Sequence, residues 1–239
     1  MDRVAKIFTD LGGLFCVSLE SFLKKSKSIR AFIYDWDGVF NDGTKNENGS
    51  SSFGEVDAMG TNLLRYSNYL RHGEMPVVAV MSGAKNNLSF QYGTREHVHE
   101  VYFNVKNKGL AFDHFIRLHG LDPSSVAFFF DDVLDLSLAA SCGLRVMINR
   151  KANPLFKAYI MENHLADYVT ANPGGSSALR EACEMLIGIN GNYDEVVRSR
   201  STFSDSYAAY LREREEIDTR FYTWDGESIV PVNSPQRIS

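Results

Sequence analysis

Six short β-rich runs punctuate the chain, at Ala31–Asp35, Val77–Met81, His99–Phe103, Val126–Phe130, Leu144–Ile148 and Asp167–Thr170. Between them, apolar positions return every three to four residues. Phe112, Phe115 and Ile116 make one such face, closed by the stop signals Gly120 and Pro123, and Leu179, Ala182, Cys183 and Leu186 make another. Strands that are apolar throughout and separated by helices belong to a parallel sheet covered on both faces. The pattern predicts a Rossmann-like, doubly wound α/β domain with a mainly parallel sheet over residues 29–189. Residues 1–28 read as a helical extension, and residues 190–239 as a charged helical arm or tail. The apolar stretch Leu11–Leu19 is bracketed by Asp10 and Glu20 with no small-residue cleavage site after it, so it reads as an amphipathic helix and not a signal peptide.

Two regions break the alternation. Residues 40–56 are rich in Gly, Asn and Ser, and Asn48-Gly49 signals a type I′ turn, so either a small β-hairpin or a disordered loop follows the first strand. Beyond Asn190 the chain is charge-dense, with a helix expected around Phe203–Asp218. Phe203, Tyr207, Tyr210, Leu211 and Phe221 would form an apolar stripe that packs on the core or on a neighbouring subunit near the pocket mouth.

Composition narrows the classes. The chain has 239 residues, 44% of them hydrophobic, which is enough to bury a core and excludes global disorder. With 25 basic and 30 acidic side chains it lacks the basic footprint of a nucleic-acid binder. No apolar run approaches the ~20 residues that span a bilayer, so a cytosolic protein is expected. Cys16, Cys142 and Cys183 are too scattered for a disulfide framework or a zinc site.

The chemistry gathers at strand ends. Asp35 and Asp37 close the first run, Ser82-Gly83 follows the second, Lys108 starts the helix after the third, and Asp131-Asp132 with Asp135 follows the fourth. In an open parallel sheet these C-terminal ends converge on one crevice. So many carboxylates repel unless a cation joins them, and oxygen ligands without His or Cys suit Mg²⁺. Mg²⁺ would draw in a phosphate, with Ser82 and Lys108 on its remaining oxygens. A carboxylate nucleophile beside a second carboxylate can then pass a phosphoryl group through an aspartyl phosphate. Any one acidic turn is as well explained by helix capping; four in these places are not. A phosphorylated receiver domain fails on the order of its residues. His97 and His99, lacking a third ligand, read as surface histidines. Pro173-Gly174-Gly175 opens a helix, either as an anion site or as an ordinary junction.

This order resembles the four motifs of the haloacid dehalogenase (HAD) superfamily. Within it the chain is most similar to the 3-deoxy-D-manno-octulosonate 8-phosphate (KDO 8-phosphate) phosphatases, which carry a β-hairpin in place of a cap domain. The matching pieces are Asp35-Trp-Asp37-Gly-Val-Phe-Asn-Asp42-Gly43, Phe53-x-x-x-Asp57-Ala-Met-Gly60, Asn107-Lys108, Asp131-Asp132-Val-Leu-Asp135-Leu and Asp167-Tyr-Val-Thr-x-x-Pro173-Gly174-Gly175-x-x-Ala-Leu-Arg180-Glu181. The resemblance implies a Mg²⁺-dependent phosphatase for a phosphorylated acidic keto-sugar, with Asp35 as nucleophile and Asp37 as general acid and base. It puts Asp35, the Asp37 carbonyl and Asp131 on the metal, Asp132 and Asp135 behind them, and Ser82, Gly83 and Lys108 on the phosphoryl group. Arg180 would reach a neighbouring subunit's pocket in a homotetramer joined through the hairpins. The chain departs from the family at Ala84, where an Arg is usual, with Lys85 adjacent. The segment from Gly43 to Phe53 is short, and Trp36 and Phe130 are bulky where smaller residues are usual. Two alternatives stand beside this reading: a HAD phosphatase for a different ester, and an idle oligomerisation module like the domain fused to some sialic acid cytidylyltransferases. Intact Asp35, Asp37, Lys108 and Asp131 argue against the latter.

Overall fold

The structure is a computed structural model that describes residues 2–233. Its nine strands are β1 (Leu14–Phe15), β2 (Ala31–Asp35), β3 (Val77–Met81), β4 (Glu100–Phe103), β5 (Val126–Phe130), β6 (Leu144–Asn149), β7 (Tyr168–Pro173), β8 (Arg220–Trp224) and β9 (Ile229–Pro231). They form one sheet in the order β1-β7-β6-β5-β2-β3-β4-β8-β9. Only the outermost pairs, β1 with β7 and β8 with β9, are antiparallel. The order reverses at β2, which lies between β3 and β5 with Ala31 opposite both Val77 and Val126. The six runs read from the sequence are therefore the six central strands, with ends displaced by up to three residues.

The helices are α1 (Asp2–Leu11), α2 (Leu19–Ser28), α3 (Glu55–His72), α4 (Asn87–Arg95), α5 (Lys108–His119), α6 (Leu136–Ala139), α7 (Pro154–Glu162), α8 (Ala178–Asn190), α9 (Tyr193–Ser201) and α10 (Asp205–Glu215). Alternate residues of β2 feed two cores: Phe32 and Tyr34 pack with residues of α3 and α8, Ala31 and Ile33 with residues of α5. That two-sided burial is why the strands are apolar throughout. α5 ends at Gly120 as its pattern predicts.

Three expectations are corrected. The single helix across Leu11–Leu19 is instead two helices broken at Gly12-Gly13, with β1 between them on the sheet edge. The hairpin after β2 is a loop without strands. Gly49 N donates to Asn46 O at 2.9 Å, and Asn48 keeps a negative φ, so the turn is not type I′. The tail, expected as a helical arm outside the 29–189 domain, instead joins its sheet, because β8 extends it in parallel register with β4. Tyr207 and Tyr210 are buried against Tyr66 of α3, and Phe221 packs on Phe90, whereas Phe203 is 68% exposed. No described helix is long and apolar enough to cross a membrane.

Candidate active site

Asp35 is the last residue of β2, in register with Met81 of β3, and its carboxylate is buried at the C-terminal edge of the sheet. The chain turns away at once. Trp36 N donates to Asp35 Oδ1 at 2.7 Å, and the Trp36 ring, fully buried, stacks on Phe40 with centroids 4.7 Å apart. Trp36 Nε1 donates to Ser51 O at 3.3 Å, so this bulky residue pins the 40–54 loop to the core. Asn41 ties off the turn by accepting from Gly38 N at 3.2 Å and Gly43 N at 2.9 Å.

Lys108, first residue of α5, reaches back under this edge. Its Nζ lies 2.5 Å from Asp35 Oδ1 and also contacts Asp135 Oδ1. Asp135 Oδ2 accepts from the backbone N–H groups of Asp131 and Asp132 at 3.3 and 3.1 Å. Both oxygens of Asp135 are thus committed to fixing Lys108 and the β5 turn. Asp132 is exposed and caps the following turn through Val133 N at 2.7 Å. Burial penalises the Lys108 charge, but Asp135 and Asp35 outweigh it and raise its pKa. Burial, then Asp135, also pushes the Asp35 carboxyl well above the ordinary range. Asp131 is pushed up to about 6 by burial first and Asp135 second, with Arg150 pulling it back.

Carboxylate oxygens of Asp35, Asp131 and Asp135 lie within 4.8 Å of one another. Asp131 Oδ1 is buried and has no hydrogen-bond partner. A buried, unpartnered anionic oxygen among raised carboxylates is stabilised by a cation, and an all-oxygen donor set fits Mg²⁺.

Asp37 stands beside this cluster, held by Lys45 Nζ at 2.7 Å and by the Ser51 hydroxyl, which in turn accepts from Asn86 Nδ2 at 2.7 Å. Ser82 is buried next to Met81, its Oγ accepting from Ala84 N at 3.2 Å, and half-buried Gly83 follows it. Asp35, Asp37, Ser82, Gly83, Lys108, Asp131, Asp132 and Asp135 therefore share one edge of the sheet.

Arg180 does not join them within this chain. Its guanidinium pairs with Glu184 at 2.5 Å, and its backbone N–H is capped by Asp57 Oδ1 at 2.8 Å. At the Pro173-Gly174-Gly175 junction, Asp57 accepts one of the N–H groups at the start of α8, that of Arg180. A Cβ on Gly174 would overlap the carbonyls of Gly38 and Asn41, so this turn buttresses the Asp35 loop. The matching ends around Asp57 and Arg180 meet for structural reasons. His97 and His99 are half-buried, with the His99 ring bonded to Val78 N at 3.1 Å, and are not the surface pair expected.

Sequence reasoning missed Lys45, Ser51, Asn86 and Arg150. The last was findable, since Arg150 lies two residues beyond the predicted strand Leu144–Ile148, at the same edge. Its Nη2 lies 2.5 Å from Asp131 Oδ2. A surface depression of about 810 Å³ between α1, α8 and α9 includes none of these groups.

No family model matches the chain. It is 30% identical over 177 residues to the 3-deoxy-D-manno-octulosonate 8-phosphate phosphatase of Salmonella typhi, covering 72% of this chain and 87% of that protein. A HAD superfamily (subfamily III A) chain from Legionella pneumophila superposes with TM-score 0.63 at 25% identity, over 81% of this chain and 96% of that one. The Moraxella catarrhalis 3-deoxy-D-manno-octulosonate 8-phosphate phosphatase, solved with magnesium, phosphate and KDO, shares the fold at TM-score 0.63 and 21% identity, over 76% and 99% of the two chains. With its Asp-x-Asp loop, lysine and second acidic turn on one sheet edge, the chain belongs to the KDO 8-phosphate phosphatase family of the HAD superfamily.

Proposed function

We propose that this edge is the active site of a Mg²⁺-dependent phosphomonoesterase acting on a phosphorylated acidic keto-sugar such as KDO 8-phosphate. The observation that carries the reading is the buried Asp35–Lys108–Asp135 contact beside an Asp131 oxygen with no partner. Asp35 attacks phosphorus through one carboxylate oxygen, and the bond from phosphorus to the sugar oxygen breaks as Asp37 gives that oxygen a proton. Water then attacks the aspartyl phosphate, losing a proton to Asp37, and inorganic phosphate departs from the regenerated Asp35. Lys108, Ser82 and Gly83 orient the phosphoryl oxygens, while Lys45 and Ser51 keep Asp37 in place between the two steps. Asp35, Asp131 and the Asp37 carbonyl would hold Mg²⁺, with Asp132 and Asp135 supporting their turn. The ion would neutralise charge on the phosphoryl group. The resemblance also implies a homo-oligomer joined through the 40–54 segment, which within this chain is a loop without strands.

The test is Asp35→Asn in the full chain with Mg²⁺ and KDO 8-phosphate. The expected result is a folded protein without turnover. Retention of more than roughly a tenth of kcat, about 1.4 kcal/mol of barrier, overturns the assignment of Asp35.

A further inference from the structure

We infer that Arg150 is the residue with which this site selects a sugar phosphate bearing a carboxylate; the inference rests on the phosphatase reading above. Arg150 follows β6 and rises at the same edge as Asp131, with a third of its side chain open to solvent. It lies along the backbone of the Asp35 loop. A Cβ on Gly38 (φ +89°) would overlap both Arg150 Nη2 and Asp131 Oδ2, so only glycine admits the guanidinium there. The Cβ position of Gly43 is 3.6 Å from Nη2 and 3.7 Å from Nη1, so the fork continues along the rim of the loop.

Among the described residues, Asp131 Oδ2 is the sole side-chain hydrogen-bond partner of Arg150, and it uses Nη2 alone. Nε and Nη1 keep their hydrogens for another acceptor. A planar fork with one donor committed and others free suits a second carboxylate.

Arg150 also stands where a second anion can reach it. Its one ion pair is with Asp131, whose other oxygen is the unpartnered one, and the next carboxylate along the rim of the loop is Asp42. After β3 the chain places Ala84, which carries no charge, and then Lys85, so Lys85 is the cation against which Arg150 is to be compared.

The experiment compares wild type, Arg150→Ala, Arg150→Lys and Lys85→Ala. Each is assayed on KDO 8-phosphate and on ribose 5-phosphate, which carries no carboxylate, with Mg²⁺ affinity measured in parallel by calorimetry. Loss of a charge-assisted contact predicts that Arg150→Ala lowers kcat/KM for the acidic ester roughly 10- to 100-fold more than for the neutral one, chiefly through KM. Arg150→Lys, which keeps the charge and is the safer variant for folding, should recover part of the preference. Equal losses on both esters together with weaker Mg²⁺ binding would make Arg150 a positioning residue for Asp131 and overturn the inference. So would a preference that collapses in Lys85→Ala and survives in Arg150→Ala. Wild type hydrolysing both esters equally well overturns the inference alone. Wild type hydrolysing neither overturns the phosphatase reading and the inference with it.

Discussion

Replacing Asp131 by Asn should stabilise the metal-free protein at about pH 8 while abolishing its stabilisation by Mg²⁺. Asp131 is 2% exposed, and its pKa is raised from 3.8 to about 6, burial being the main cause. A carboxyl whose folded pKa lies above its unfolded value favours the native state fully below about 3.8. It loses that contribution as pH rises through about 6. At about 1.4 kcal/mol per pH unit, ionised Asp131 costs the metal-free fold about 3 kcal/mol near neutrality. Asn removes that charge and with it the Arg150 attraction, which the raised pKa already includes because Arg150 pulls Asp131 down. The net gain, up to about 3 kcal/mol, corresponds to a rise in Tm of roughly 6–12 °C in a domain of this size. Thermal unfolding by circular dichroism, in chelator at about pH 8 and again near pH 4, reads it directly. Near pH 4 the wild-type carboxyl is already protonated, so the advantage of Asp131→Asn should vanish. Adding Mg²⁺ at about pH 8 should reverse the order, since ligand binding stabilises only the protein that can bind. If metal-free Asp131→Asn melts below metal-free wild type at both pH values, the Asp131 charge is no liability and the cation argument fails.

Three further outcomes follow from the geometry. Gly174→Ala should lower Tm by several degrees and depress kcat, because its Cβ would meet the Gly38 and Asn41 carbonyls; unchanged kinetics would detach the Pro173–Gly175 turn from the site. Deleting residues 203–239 should prevent stable folding, since it removes buried Tyr207 and Tyr210 and the β8 ladder, burial worth about 2–3 kcal/mol per ring before the ladder is counted. A truncated chain with wild-type Tm would contradict the packing. Burial, then Arg65, His119 and Arg220, pulls His99 down to about 3. A base held neutral in the fold contributes stability above about 6.5 that is lost as pH falls toward 3, so His99→Gln should flatten that part of the Tm–pH curve; an unchanged slope would reject the assignment.

The central strands and the positions of Asp35, Asp37, Ser82, Lys108 and Asp131 were legible in the sequence for a simple reason. A parallel strand buried on both faces must be apolar along its length, and its C-terminal end marks where ligands gather. The acidic turn after β5 needed nothing beyond that rule. The Arg-Phe-Tyr-Thr-Trp run of β8 carries no such mark. It lies near the sheet edge and is only partly buried, so its pattern is mixed, and its place depends on the open side of β4. Trp36 looked out of place by local analogy and became an anchor only once Phe40 and the Ser51 carbonyl were brought against it. The partners of Arg150 and Lys45 were likewise beyond the sequence, because long charged side chains have many rotamers; Arg180 instead pairs with Glu184, four residues on in its own helix. Local sequence determined which strands form and which residues stand at their ends. Tertiary packing decided which cation meets which carboxylate, because ion pairs between elements depend on distances that only the assembled layers set.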